Sequence, residues 1–167
     1  MQSLYAAPAF GRSAPATAPA PARPALARHH DGFVHDGPAF DALVQASTSS
    51  GGLMSADELA LRLRDNDSDQ PLSRVARWIV AHDVLSLDWR GQTWLPSFQF
   101  EPARMSLRPG VSEIVHELAD TFDDWELMTW FTSPNCSLHD LAPCDVIATR
   151  PVAVLDAARL DRFIARG

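Results

Sequence analysis

Residues 55–100, "SADELALRLRDNDSDQPLSRVARWIVAHDVLSLDWRGQTWLPSFQF", carry the run of signals that decides the fold. Ser55 precedes Glu58 by three residues, the spacing of a capping box. In that box the hydroxyl accepts from the third helical amide and the carboxylate reaches back to the cap. A helix is therefore expected from Ala56 to about Arg64, burying Leu59 and Leu63. The polar run 65–70 is a turn. Pro71 then sits where proline commonly opens a helix, because its missing N–H would be unpaired there anyway. The second helix is expected to reach about His82 and to bury Leu72, Val75, Ala76 and Ile79. Val84, Leu85 and Leu87 read as one short strand and Thr93 to Leu95 as another, with Asp88 to Gln92 turning around Gly91 between them. Helix, turn, helix and hairpin in this order outline a winged helix-turn-helix. Trp94, Phe98 and Phe100 are large enough to tie hairpin to helices in the core.

Upstream, "AFDALVQAST" at 39–48 predicts a short helix with Phe40, Leu43 and Val44 on one face, broken by "STSSGG" at 47–52. Residues 1–38 hold six of the thirteen prolines among many alanines. Proline fixes φ and removes donors, so this stretch is expected to be a disordered tail. It is poor in acids and contains Arg and Ser, as transit peptides do, but Pro-Ala repeats fit a low-complexity linker better.

Downstream, Val111, Ile114, Val115 and Leu118 recur at helical spacing. Asp123 or Asp124 can cap a helix carrying Trp125, Met128 and Phe131. That helix must stop near Ser133, since Pro134 disfavours helical geometry in the residue before it. Asn135 tolerates the left-handed conformation that such a turn can need. Leu138 and Leu141 are expected to pack back onto the core. A further helix begins near Ala142 and Pro143, and a last one runs from Val152 to about Ala165. The chain is thus read as mainly α: a tail at 1–38, a winged-helix-like module at 39–100 and a helical domain at 101–167.

The net charge is −7 and every basic residue is Arg. The absence of Lys matches a GC-rich, bacterial coding sequence. Residues 111–167 hold four Arg against ten acids, whereas 53–110 are almost balanced. The C-terminal third therefore repels phosphate backbones and suits a basic partner. DNA contact, if it exists, belongs to the middle of the chain. There Ser73, Arg74 and Arg77 lie on the second helix of the helix-turn-helix, where guanidinium groups read guanine edges. The structural alternative pairs those arginines with Asp65, Asp67 and Asp69.

Signals for catalysis are weak. His29, His30 and His35 lie in or beside the tail without metal-ligand spacing. Cys136, Cys144 and His139 are close in sequence, but catalytic Cys and His usually meet from distant segments. No phosphate loop, nucleophile elbow or zinc motif is present. A binding protein is expected, with no metal, no cofactor and no membrane span. Two cysteines and no signal peptide fit a reduced, cytoplasmic setting.

Two motifs carry a resemblance. "PSFQF" at 96–100 resembles the "yPafQF" element of the Xre/MbcA/ParS antitoxin family. "W…WFTSPNCSL…LAPCDVI", from Trp125 to Ile147, resembles that family's "W…WL.TPN..L.G..P.d.L" signature. "RVARW" at 74–78 and "VLSL" at 84–87 are similar to the helix-then-strand stretch preceding the first motif. The match covers roughly 54–165. The chain departs from the pattern at His139 and Asp140, where the family often has Gly, at Phe131, where Leu is common, and around Ile147.

The resemblance implies an antitoxin whose helical C-terminal domain grips a cognate toxin and blocks its active site. In this family that toxin is often of the NAD-consuming RES type. Pro134, Asn135, Leu138 and Pro143 would shape the domain. Arg159, Arg162, Arg166 and Gly167 would face the toxin. For Arg162 and Arg166 the reason is that a pyrophosphate-binding site attracts guanidinium groups; the alternative is that they complement the helix dipole. A hetero-complex is implied, with homodimerisation and promoter-DNA binding as further modes. The competing class is a transcriptional regulator that uses the helix at 71–82 on DNA and the C-terminal domain for dimerisation.

Overall fold

The computed structural model describes residues 37–66 and 69–167, which form one compact unit. The expected tail at 1–38, except its last two residues, and with it His29, His30 and His35, lies outside the described residues, as does Asp67. The described chain is mainly helical. It runs α1 (Gly37–Ser47), β1 (Leu53–Ser55), α2 (Ala56–Asp65), α3 (Pro71–Val80), β2 (Leu87–Trp89) and β3 (Gln92–Pro96). Then come α4 (Val111–Leu118), α5 (Asp124–Thr132), α6 (Pro143–Val146) and α7 (Pro151–Arg166).

The strands form one antiparallel sheet in the order β1-β3-β2. β1, three residues long, was not expected from the sequence. It sets Met54 opposite Leu95 and Ser55 opposite Trp94. The hairpin sets Leu87 opposite Trp94 and closes through Arg90 and Gly91, both at positive φ. Two successive left-handed residues make the tight turn that matches strand twist. Arg90 lies over the Trp89 ring, 5.3 Å from its centroid.

Because side chains alternate along a strand, the sheet serves two cores. Met54 and Leu95 join Leu59, Leu63 and Val75 from α2 and α3. Leu87, with Trp94 and Leu53 packed beside it, joins the larger cluster of α4, α5 and α7. Leu43 of α1 belongs to this second cluster, and Phe40 stacks on Trp89 at 5.0 Å. The segments 39–100 and 101–167 therefore share a core.

Helix starts follow the sequence, with two corrections. Ser55 accepts from Glu58 N at 3.1 Å, but the returning half of the box gives way to a Glu58–Arg62 ion pair at 2.6 Å. The box at Asp123 and Glu126 is complete. On α3 the buried face is rotated from the expected one. Val75 is buried and Ile79 half-buried, but Leu72 is 63% exposed and Ala76 is also exposed. Trp78, at i+3 from Val75, takes the inward place and stacks near Phe100 at 5.9 Å.

The strand expected at 84–87 begins only at Leu87. Val84 and Leu85 are buried, yet Leu85 pairs with a side chain instead of a strand. The Gln99 amide oxygen accepts from Leu85 N at 2.7 Å, and its Nε2 donates to Leu85 O at 2.9 Å and to Pro96 O at 3.3 Å. Gln99 is fully buried, between Phe98 in one core and Phe100 in the other. The "PSFQF" motif is thus the pin that joins the two cores.

Candidate partner-binding site

The corner after α5 is built from Ser133 to Pro143. Phe131 and Leu138 are buried, and Pro143 is buried at the start of α6. Pro134 is exposed. Asn135 is extended, at φ −118°, not left-handed as expected; the left-handed residues are His139 at φ 61° and Asp140 at φ 60°. A turn is closed here by two consecutive left-handed residues, and a glycine would meet that requirement without strain. Leu141, expected in the core, is 43% exposed; its backbone carbonyl accepts from Asn135 N at 3.1 Å.

Asn135 is the hub of the corner. Its Oδ1 accepts from Ser137 N at 2.9 Å. Its backbone carbonyl accepts from Leu138 N and Asp140 N, each at 3.0 Å. Its Nδ2 donates to Asp161 Oδ2 at 2.7 Å, and Trp130 Nε1 donates to the same oxygen at 2.7 Å. A carboxylate on α7 is thus held by an indole on α5 and by the corner amide. Hydrogen bonds to an ionised acceptor are the stronger kind. They fix α7 in rotation as well as in position.

With that rotation set, α7 turns Val154, Ala157 and Ala158 inward against α4 and the corner. Its exposed surface presents Val152 at 71%, Leu160 at 46% and Phe163 at 74%, with Ile164 at 65% nearer the buried side at the C-terminal end. Sequence reasoning missed these residues, since nothing in the sequence marks them as exposed. Clustered apolar exposure on one helix face is the signature of an interaction site.

The expected arginine contacts are placed differently from one another. Arg162 lies 2.9 Å from Glu117 on α4, a pair in close charge contact that is not aligned as a hydrogen bond. Arg166 lies 3.5 Å from Asp120 and donates to Thr121 Oγ1 at 3.3 Å. Both hold α7 to the molecule. Among the described residues Arg159 pairs only with Asp156 of its own helix, at 3.2 Å, and it stands on the outer face beside Val152 and Phe163. Gly167 is exposed at the helix end.

On α3, Ser73, Arg74 and Arg77 are exposed. Among the described residues neither arginine forms an ion pair; Arg77 Nε donates to Ser73 O at 3.3 Å. Pairing with Asp65 or Asp69 is therefore not what holds them. Beside them an open groove of about 740 Å³ is lined by Arg74, Arg77, Trp78, Val80 and Asp83.

The cysteines differ in kind. Cys136 is exposed, and Cys144 is buried on α6. Burial pushes the Cys144 thiol up to about 11, against a smaller lowering by Ser50. A nucleophilic thiol needs the reverse shift. Among the described residues no group of His, Cys, Asp and Glu is placed to hold a metal ion, and no helix is long and apolar enough to cross a membrane.

No protein-family model matches the chain, and neither a curated protein nor a solved structure matches it.

Proposed function

We propose that the protein is a bacterial, cytoplasmic antitoxin that binds a cognate toxin through the outer face of α7 and neutralises it by steric occlusion. It acts by binding, without chemistry of its own. The observation that carries this reading is the exposed set Leu160, Phe163 and Ile164 on a helix locked in rotation by Trp130, Asn135 and Asp161. A rigid helix loses little entropy on docking, and buried aromatic anchors dominate interface energies. The motifs at 96–100 and 125–147 point to the antitoxin class and, through it, to a RES-type toxin. The acidic charge of the C-terminal third suits a basic partner surface. Phe163 replaces the arginines as the expected anchor, because Arg162 and Arg166 are held by this chain's own α4 segment.

The test is co-expression with a RES-type or other toxin candidate from a neighbouring reading frame, followed by affinity capture and growth rescue. The wild type should capture and neutralise the toxin. Phe163→Asp should abolish both while leaving the fold intact, since Phe163 is exposed. Full neutralisation by Phe163→Asp would overturn the reading. Removing 159–167 is a poorer test, because it also removes Asp161 and Arg162.

A second reading, promoter binding by α3, is favoured by the exposed guanidinium groups of Arg74 and Arg77, which form no ion pair among the described residues, and by the position of Arg90 at the hairpin tip. Gel-shift titration at low salt should show binding that Arg74→Ala with Arg77→Ala weakens, with a shallower salt dependence. No binding by the wild type would end it.

A further inference from the structure

The outer face of α7 has a property beyond being apolar: it is complementary to itself. Val152, Asp156, Leu160 and Phe163 recur at intervals of three or four residues and so form one stripe. Arg159 and Ile164 flank it. Apolar groups stand at both ends, and an Asp and an Arg stand together in the middle. Among the described residues Asp156 and Arg159 pair only with each other, in a contact with side chains 65% and 56% exposed.

We infer that this stripe seats a second copy of the chain, α7 against α7, antiparallel about a two-fold axis level with Ala158. A two-fold interface must match a patch to its own image. About that axis, Val152 comes within one residue of the level of Phe163 of the second copy, so apolar ends meet apolar ends. Asp156 comes level with Leu160 and beside Arg159 of the second copy, so two acid–arginine pairs form across the axis. A parallel arrangement would instead set Asp156 on Asp156 and Arg159 on Arg159, which repel. The seam spans about twelve residues, or roughly 18 Å of helix. One helix on one helix buries less than the roughly 1,200–2,000 Å² of stable complexes. The dimer is therefore dissociable, and it covers the face that the toxin would use. The inference stands apart from the antitoxin reading, because it concerns the purified chain alone.

The test is sedimentation velocity of the full chain under reducing conditions, from micromolar to near-millimolar concentration. The wild type should pass from monomer to dimer across that range. Phe163→Asp should weaken self-association by at least about tenfold. Asp156→Arg and Arg159→Asp should each weaken it, because like charges then meet across the axis. An equimolar mixture of these two variants should form a heterodimer at least as tight as the wild-type dimer. In that mixture each Arg faces an Asp, which no repair within a single helix can reproduce.

A wild type that stays monomeric throughout would overturn the inference. So would a dimer unaffected by Phe163→Asp, which would place the interface elsewhere, or a mixture that stays monomeric. A strictly monomeric chain that still captures the toxin would leave the antitoxin reading intact, and a dimer that captures nothing would do the reverse.

Discussion

Gln99 and Asn135 are both buried side-chain amides, one in each sequence motif, but they are spent on different bonds. Gln99 is closed on neutral backbone: it replaces a missing strand partner for Leu85 and caps the carbonyl of Pro96. Asn135 faces a charge, Asp161, which lies 26 residues further along the chain on α7. The first amide joins the two cores, so the whole unit depends on it. The second sets the angle of one helix, and that helix carries the candidate partner face.

The sharpest way to break this comparison is Gln99→Leu. The replacement fits the volume but leaves the Leu85 N–H and C=O buried and unpaired. Each such group costs about 1–3 kcal/mol, so a loss of roughly 3 kcal/mol is expected, a large part of the stability of an ordinary domain. Equilibrium denaturation should show it as one cooperative transition at lower denaturant. A loss under about 1 kcal/mol would mean that the amide is not the pin described.

Asn135→Ala should cost less, about 2 kcal/mol, the value of hydrogen bonds to a charged group and to one turn amide. Its distribution matters more than its size. Hydrogen exchange should speed up in 133–141 and along α7, while 53–100 stays protected, because sub-global openings follow local contacts. Uniform loss of protection would erase the distinction between the two amides. Asp161→Asn, which keeps an acceptor for Trp130 but loses the charge, should give the same pattern at smaller amplitude.

The helix starts and the hairpin turn were legible in the sequence because their determinants are local. Pro71 and Pro143 open helices, Asp123 was one of two adjacent candidates to cap another, and Gly91 permits the hairpin turn. What was not legible depends on pairing across long stretches of chain. β1 is too short to show a period and becomes a strand only because β3 lies beside it. The arginines of α7 read as free charges, since nothing near them in sequence reveals Glu117 or Asp120. Conversely, nothing in the sequence marks Leu160, Phe163 and Ile164 as exposed, and only the packing of Val154, Ala157 and Ala158 shows that the core lies elsewhere on the helix. The rotation of α3 has the same origin: periodicity allows two adjacent faces, and the volume of Trp78 chooses between them.

Cys144 tests a third kind of buried polar group, one whose partners do not compensate burial. Its thiol is pushed up to about 11, burial being the largest cause. In the unfolded chain it would ionise near 9. Below about pH 9 the thiol is neutral in both states and has no pH-linked effect. Between about 9 and 11 the unfolded state loses the proton first, so stability should fall as pH rises. The chain has no Lys and one Tyr, so few other groups compete in that window. Cys144→Ala should flatten the alkaline slope of stability, measured by denaturation at pH 8, 9 and 10. An unchanged slope would assign it to another group. At pH 8 a thiol reagent should modify Cys136 while Cys144 stays unmodified.

The smallest effect sharpens the corner itself. Asp140 sits at φ 60° directly after His139 at φ 61°, and an L residue in the left-handed region costs roughly 1–2 kcal/mol, less for Asp than for most. Asp140→Gly removes that cost and returns part of it as extra freedom in the unfolded chain. The net change should be a gain of about 0.5 kcal/mol, with α7 better protected from exchange. His139→Gly should behave alike. By contrast, Asn135→Gly should destabilise, because Asn135 is extended and its side chain holds Asp161. That opposite sign within six residues separates the strained positions of the corner from its bonded one. Equal gains at 135 and 140 would show that backbone conformation, and not the bond to α7, sets the stability of this segment.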